Sequence, residues 1–143
     1  MYNWEWIKNG DITKALQLRF EVFCDEQGYS HEQETDDLDK SSFHLICLDN
    51  DIPIATGRIV KDTEYKAHIG RICVKKNMRG TGLGRELVEK LIDKCKEYNF
   101  KEIAVGAQVR AMKFYEKLGF IPCGQQYMDG HVPHIPMIMK IET

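Results

Sequence analysis

The stretch Arg79-Gly80-Thr81-Gly82-Leu83-Gly84 combines a leading arginine with three alternate glycines, and the most regular amphipathic helix of the chain follows directly. Glycines at alternate positions let the backbone turn tightly and approach a ligand without Cβ interference, while the first turn of the helix presents N–H groups that the helix itself cannot satisfy. Lys75, Lys76, Arg79 and Arg85 flank the loop with no acid among them. Their field and the helix dipole therefore have the same sign. The chemistry is anion binding, and a pyrophosphate suits it.

A Walker loop ends in Gly-Lys-Ser/Thr, whereas Gly84 is followed here by Arg85 and Glu86, so both the lysine and the magnesium-binding hydroxyl are missing. In a dinucleotide fingerprint begun at Gly80 the third glycine would fall at position 85, which is arginine. The remaining pattern is R-x-x-G-x-G, met by Arg79, Gly82 and Gly84. Together with the strand-like run Ile69 to Val74 and the later Phe114-Tyr115-Glu116-Lys117-Leu118-Gly119-Phe120, it resembles the GNAT superfamily of acetyl-coenzyme A-dependent N-acetyltransferases over roughly residues 43–141. Further upstream, Phe20, Val22-Phe23, Glu26-Gln27, Glu34, Asp36, Asp39 and His44, with Gly70-Arg71 and His134, are similar to a small bacterial subgroup of that superfamily.

The resemblance implies acetyl-coenzyme A as cosubstrate, lying where the strand ending near Val74 splays from a neighbouring strand. Backbone groups of Ile72, Cys73 and Val74 would pair with the two amides of the pantetheine arm, as a strand edge pairs with an added strand. Arg79, Gly80, Thr81, Gly82, Leu83, Gly84 and Arg85 would hold the pyrophosphate. The reaction, attack of a neutral amine on a thioester carbonyl, needs an oxyanion donor, a proton for the leaving thiolate and a route for the proton of the amine. A backbone N–H at a bulge near Ile72 or Cys73 is the candidate oxyanion donor. Tyr115 sits where the family commonly places its general acid; a phenol stays protonated at pH 7 and can donate to sulfur.

Deprotonating an alkyl ammonium at pH 7 costs about 4.6 kcal/mol, which calls for a base. His68, His134 and Glu26 are the candidates, each acting directly or through water, and the sequence does not choose among them. Cys73 as a covalent nucleophile has no activating base beside it in sequence, so direct transfer in a ternary complex is the expected route. His44, His68, His131 and His134, with Cys73, match no compact metal-ligand spacing, and no metal is expected. Tyr127 and Met128 read as core or pocket lining. The rival reading is a GNAT-shaped module that binds or senses acyl-coenzyme A without turnover.

The elements that would carry these groups follow from periodicity. Trp4, Trp6 and Ile7 predict a first strand ended by Asn9-Gly10. Asp11 offers an N-cap to a helix over about Ile12 to Asp25, with Ile12, Ala15, Leu16, Phe20 and Phe23 at helical spacing. Phe43 to Leu48 and Ile52 to Val60 read as a hairpin across Asp49-Asn50-Asp51, with Gly57 marking a bulge. Ala67 to Val74 completes a three-stranded meander. Leu83, Leu87, Val88, Leu91, Ile92 and Cys95 form one helical face, and Asn99 caps that helix. A strand over Lys101 to Ala107, a helix over Arg110 to Leu118 closed by Gly119, and strands over Phe120 to Met128 and Ile135 to Ile141 complete the chain. The expected class is α+β: one mixed, mostly antiparallel sheet with a central splayed parallel pair, flanked by helices, in a single domain over residues 1–143.

A chain of 143 residues with 43% hydrophobic content can bury a substantial core. A net charge of −2 argues against nucleic acid as a partner. No apolar run approaches the roughly 20 residues of a membrane span, so no membrane is expected. The five cysteines, each more than twenty residues from the next, read as free thiols in a reducing cytoplasm. Between Asp25 and Asp39 stand seven acids and no Lys or Arg, which reads either as solvated loop or as an acidic lip that draws in a cationic amine. The expected partner is a small-molecule or peptide amine. Related domains often dimerise, so the oligomeric state stays open between monomer and homodimer.

Overall fold

The sheet grows from a hairpin whose turn chemistry is explicit. β2 (Phe43–Asp49) and β3 (Ile52–Lys61) are antiparallel, and Asn50 and Asp51 between them hold φ of 51° and 66°. Two consecutive left-handed residues make a turn whose twist matches that of the strands, and Asn and Asp tolerate that conformation best among residues with a Cβ. In the computed structural model, which describes residues 2–141, β1 (Tyr2–Ile7) flanks β2, and β4 (Lys66–Val74) pairs with β3. Helix α3 (Leu83–Glu97) then crosses over to β5 (Glu102–Gln108), which runs parallel to β4. β8 (Val132–Lys140) lies antiparallel to β5 and carries β6 (Ile121–Pro122) and β7 (Tyr127–Asp129) on its other side. The order is β1-β2-β3-β4-β5-β8-β6, with β7 on β8. The mixed α+β sheet with one parallel pair is therefore as anticipated.

Both faces of the sheet are covered, and β2 shows how. Leu45 and Cys47 pack with Leu87, Val88 and Leu91 of α3, while the intervening Ile46 and Leu48 pack with Ala15 of α1 (Thr13–Arg19). Alternate side chains of a strand point to opposite faces, so α1 and α3 lie on opposite sides. This is why β2 reads as a continuous apolar run rather than as an alternating one.

Four expectations are sharpened. The first helix spans the anticipated range, but α1 continues as a π-helix over Phe20–Glu26. The acidic segment contains α2 (His31–Glu34), closed by a Ser30–Gln33 capping box, and a 3₁₀ turn over Asp37–Ser41 capped by Asp36. The helix before Gly119 is a 3₁₀ turn (Val109–Ala111) leading into α4 (Met112–Lys117), and Gly119 takes φ 106°. The strand expected over 120–128 is split into β6 and β7. Pro122 has no N–H to extend a ladder, and β8 begins three residues earlier than expected because Tyr127–Asp129 folds back on Val132–His134 through Gly130. Among the described residues no helix is long and apolar enough to cross a membrane.

Candidate active site

The site begins with one extra residue in β4. Pairing with β3 runs Thr56 with Cys73 and then Arg58 with Gly70, so Arg71 and Ile72 stand opposite Gly57 alone. Arg71 adopts φ 51°. The bulge reverses which side chains face α3: Ala67 and Ile69 do so before it, Ile72 after it, while Cys73 turns to the α1 face with Leu18 and Val22. A Cβ on Gly57 would lie 2.9 Å from Leu91 Cδ1 and 3.3 Å from Ile72 Cγ1, so the glycine is what lets Ile72 and α3 close over the bulge.

Bulges bend strands, and β4 leaves β5 here. Their parallel pairing stops at Ile69 and Val105, although both strands run on to Val74 and Gln108. A cleft of about 570 Å³ opens between them, a size suited to a small ligand. Ile72, Cys73 and Val74 form one wall, and the edge of β4 there has no strand partner on the β5 side.

Arg79 and Gly84 lie at the mouth of the cleft, and the rest of the loop continues outward from it. Gly80 and Gly82 take φ of 79° and 87°, and a Cβ at either would meet no protein atom within 4 Å. The glycines thus serve backbone conformation and leave open space where an anion would sit. Gly82 is the N-cap of α3; its carbonyl accepts from Glu86 N–H, and the N–H groups of the preceding first turn are left for a ligand. Thr81 Oγ1 donates to the Met78 carbonyl at 2.7 Å, which pins the loop. Arg79 is held on the inner side: its Nε donates to the Val74 carbonyl at 3.0 Å, and its two Nη groups donate to the Glu26 carboxylate at 2.8 and 2.9 Å.

Tyr115 stands on the cleft wall, buried, with its ring edge-on to Phe114 and Phe120. Burial pushes the phenol above its ordinary value, so it remains a proton donor across the physiological range. Burial also pushes the Cys73 thiol up. A thiolate is disfavoured there, which removes the reactive form of a covalent nucleophile.

The three candidate bases occupy different environments. Glu26 has both oxygens committed to Arg79. His68 Nδ1 lies 2.9 Å from both oxygens of Asp62 at the cleft margin. His134 is 7% exposed and lines the cleft from β8, opposite Gln108 in register. Its Nδ1 sits 2.9 Å from the Val132 carbonyl. A carbonyl can only accept, so Nδ1 is the donor and Nε2 is the nitrogen that can accept when the ring is neutral. The remaining three histidines point elsewhere: His31 stacks on Phe20, His44 Nε2 contacts the Asp39 carbonyl, and His131 Nε2 the Gln27 carbonyl.

Asp25, Glu32 and Asp37 of the acidic run are exposed, but Glu34, Asp36 and Asp39 turn inward to arginines. Arg19 Nε donates to Glu34 at 2.6 Å and its Nη groups to Asp39 at 2.9 and 3.1 Å. Arg58 bridges Asp36 and Asp39 at 2.7 and 2.8 Å, and Arg71 reaches Glu34 and Asp36 at 3.1 and 3.3 Å. Three guanidiniums and three carboxylates form one array, with Arg19, Glu34 and Arg58 at most 4% exposed and Arg71 and Asp36 at its outer edge. The Arg58 hydrogen bond, against the cost of burial, holds the Asp36 carboxyl down at about 2. At Glu34 burial pushes the carboxyl up against the pull of Arg71 and Arg19. The array ties the segment before β2 to the β4 bulge and so shapes the far wall of the cleft.

Several cleft residues carry no sequence signal of their own. Gln27 on the helical arm accepts from Gln108 Nε2 at 2.8 Å, and Gln108 Oε1 accepts from Arg110 Nε at 2.9 Å. Tyr29 donates to the Asp129 carbonyl at 2.7 Å. Tyr127 lines the cleft as anticipated, its hydroxyl so close over Gly106 that a Cβ there would collide with it. Met128, expected in the core or the pocket, is instead 61% exposed: β7 is an outer strand with nothing packed over it.

Three comparisons bear on this arrangement. Residues 11–141 match the acetyltransferase (GNAT) domain. The UPF0039 protein sll0451 of Synechocystis is 36% identical, with 97% of this chain and 96% of that protein covered. Protein ElaA of Escherichia coli is 31% identical over 99% of this chain and 98% of its own length, and its crystal structure superposes with a TM-score of 0.89, covering 98% of this chain and all of that one. An acyl-CoA N-acyltransferase from Pseudomonas aeruginosa is 27% identical with a TM-score of 0.86, covering 97% and 99% of the two chains.

Proposed function

The chain belongs to the GNAT acetyltransferase superfamily, and from that premise we propose that it transfers acetyl from acetyl-coenzyme A to a primary amine, directly within a ternary complex, as one domain over residues 1–143. The observation that carries this reading is the parting of β4 and β5 beyond Ile69 and Val105, with the Gly80–Gly84 cradle at one end of the opening and Tyr115 on its wall. The pantetheine amides pair with the free edge of β4 at Ile72 to Val74. The pyrophosphate rests on the first-turn amides of α3 between Gly82 and Arg85, with Arg79 at the mouth.

With the thioester in the opening, the amine nitrogen attacks the carbonyl carbon, and the oxyanion that forms lies beside the backbone N–H groups of the β4 bulge. The C–S bond then breaks. Tyr115 O–H gives its proton to the departing sulfur and regains one from solvent. The proton lost by the amine passes to His134 Nε2, directly or through a water, since His134 is buried in the cleft wall whereas His68, whose Nε2 is equally free of a partner, is 33% exposed at the margin. Glu26 acts on Arg79 instead, and His68 on Asp62. Cys73, buried and unactivated, takes no part.

Calorimetry with acetyl-coenzyme A and a coupled thiol-release screen over amine classes test the reading. Binding together with amine-dependent thiol release supports it; binding with no release across the panel identifies an acyl-coenzyme A sensor. A chain that does not bind coenzyme A at millimolar concentration has another function.

A further inference from the structure

Two charges on the cleft wall stand outside its ion pairs, and they describe the acceptor. Glu34 and Asp129 are the carboxylates among the described residues that line the cleft, and Arg58, Arg71, Arg79 and Arg110 are the guanidiniums. Glu34 is spent on Arg19 and Arg71, and Arg79 on Glu26. Arg58 and Arg71 are neutralised by Asp36 and Asp39 together with Glu34. Arg110 and Asp129 are left over: Arg110 makes one hydrogen bond, through Nε to Gln108, and the Asp129 carboxylate comes no closer than 3.9 Å to His134 Nε2.

These two charges flank the base. His134 lies on β8, opposite Gln108 on one side and Tyr127 on the other. Arg110 follows Gln108 by two residues and Asp129 follows Tyr127 by two, so a cation and an anion stand on either side of His134 at the same end of the sheet. The Tyr29 hydroxyl reports their proximity: burial, then the charge of Asp129, raise its pKa, while Arg71 and Arg110 lower it. Arg110 is exposed but tethered. The chain Gln27–Gln108–Arg110 fixes its Nε and leaves the planar pair of Nη groups, the geometry that grips a carboxylate with two parallel hydrogen bonds.

We propose that the acceptor is an amine that carries its own carboxylate, an amino acid or a compound of that type, with the carboxylate on Arg110 and the ammonium drawn to Asp129 before His134 takes its proton. This rests on the acetyltransferase reading above. It adds a carboxylate to the cationic amine suggested by the acidic run, four of whose seven acids, Glu26, Glu34, Asp36 and Asp39, are paired with arginines of the protein itself.

The test compares matched pairs in the coupled thiol-release assay with acetyl-coenzyme A: the common amino acids, each against its decarboxylated amine and its primary amide, with polyamines and amino sugars alongside. Losing a hydrogen bond to a charged group corresponds to about a 10- to 100-fold loss, so the carboxylate-bearing member should lead its pair in kcat/KM by that factor. Arg110→Gln should erase the lead through KM, with calorimetric affinity for acetyl-coenzyme A unchanged. The inference is overturned if the protein binds acetyl-coenzyme A yet acetylates no carboxylate-bearing amine, if decarboxylated partners or polyamines do as well, or if Arg110→Gln leaves the ratio intact. Failure to bind acetyl-coenzyme A at all would instead overturn the acetyltransferase reading.

Discussion

Substitution at Gly82 separates the charge of the cradle from its shape. The residue holds φ 87° and ψ 0°, and a Cβ there meets no protein atom within 4 Å. A side chain at this position therefore costs the left-handed penalty of about 1–2 kcal/mol and no packing clash. Asn and Asp are the residues that bear that conformation most easily, and they have the same shape. Gly82→Asn and Gly82→Asp should both fold, with Tm lowered by about 2–8 °C for a chain of this size. They differ by one charge. A carboxylate about 5 Å from a phosphate oxygen, at an effective dielectric of about 20, raises the energy of the complex by about 3 kcal/mol, roughly a hundredfold in Kd. Calorimetry at low salt should show Gly82→Asp binding acetyl-coenzyme A about a hundred times more weakly than Gly82→Asn. The gap should narrow at high salt as the charges are screened, and vanish for S-acetylpantetheine, which has no pyrophosphate. Equal affinities of the two variants for acetyl-coenzyme A would refute the cradle assignment.

Tyr115→Phe should lower kcat by about a hundredfold, the usual scale for a lost general acid, with coenzyme affinity nearly unchanged; full activity would remove Tyr115 from proton transfer. Glu34→Ala leaves Arg19 and Arg71 facing an empty buried site, and urea denaturation should show a loss of about 3–5 kcal/mol; a loss below about 1 kcal/mol would show that the array contributes little. Stability should also fall on acidification in two stages. Burial holds the His44 imidazole below its ordinary value of 6.5, so the unfolded chain binds that proton first and stability, full above pH 6.5, declines below it. Asp36, held at about 2 rather than 3.8, contributes above pH 4 and loses its contribution as pH falls towards 2. That second stage is about 1 kcal/mol after screening, since the side chain is 30% exposed. Glu34, pushed up by burial, acts in the opposite sense and softens it. A urea midpoint that does not move between pH 7 and pH 3 would contradict both assignments.

Signals that depend on near neighbours in the chain were legible without coordinates. The alternate glycines before an amphipathic helix, the Asn50-Asp51 turn, and the left-handed Asn99 and Gly119 each follow from local backbone preferences, whereas Gly57, expected to mark a bulge in its own strand, stands opposite the extra residue of β4. Their order sufficed for a meander, one parallel crossover and an antiparallel close. The π-helical stretch Phe20–Glu26 and the division of the 120–128 strand were not legible, because hydrophobic period alone does not report hydrogen-bond register or which strand edge finds a partner.

The sequence by itself determined the glycine-rich loop of the proposed donor half. The cradle is contiguous, so residue types and spacing from Arg79 to Gly84 were enough to describe an anion seat, and the Phe114–Phe120 motif placed Tyr115 near it. The acceptor half was decided only by tertiary structure. Arg19 meets Glu34 fifteen residues away and Asp39 twenty away, Arg71 meets Glu34 across thirty-seven, and Gln108 meets Gln27 across eighty-one. A charge has no fixed meaning until its partner is known, and these partners are chosen by chain packing rather than by spacing. Glu34, Asp36 and Asp39, part of what reads as an inviting surface along the chain, are, in the fold, the counterions of Arg19, Arg58 and Arg71. Arg110 and Asp129, which line the cleft on either side of His134, stay outside that array.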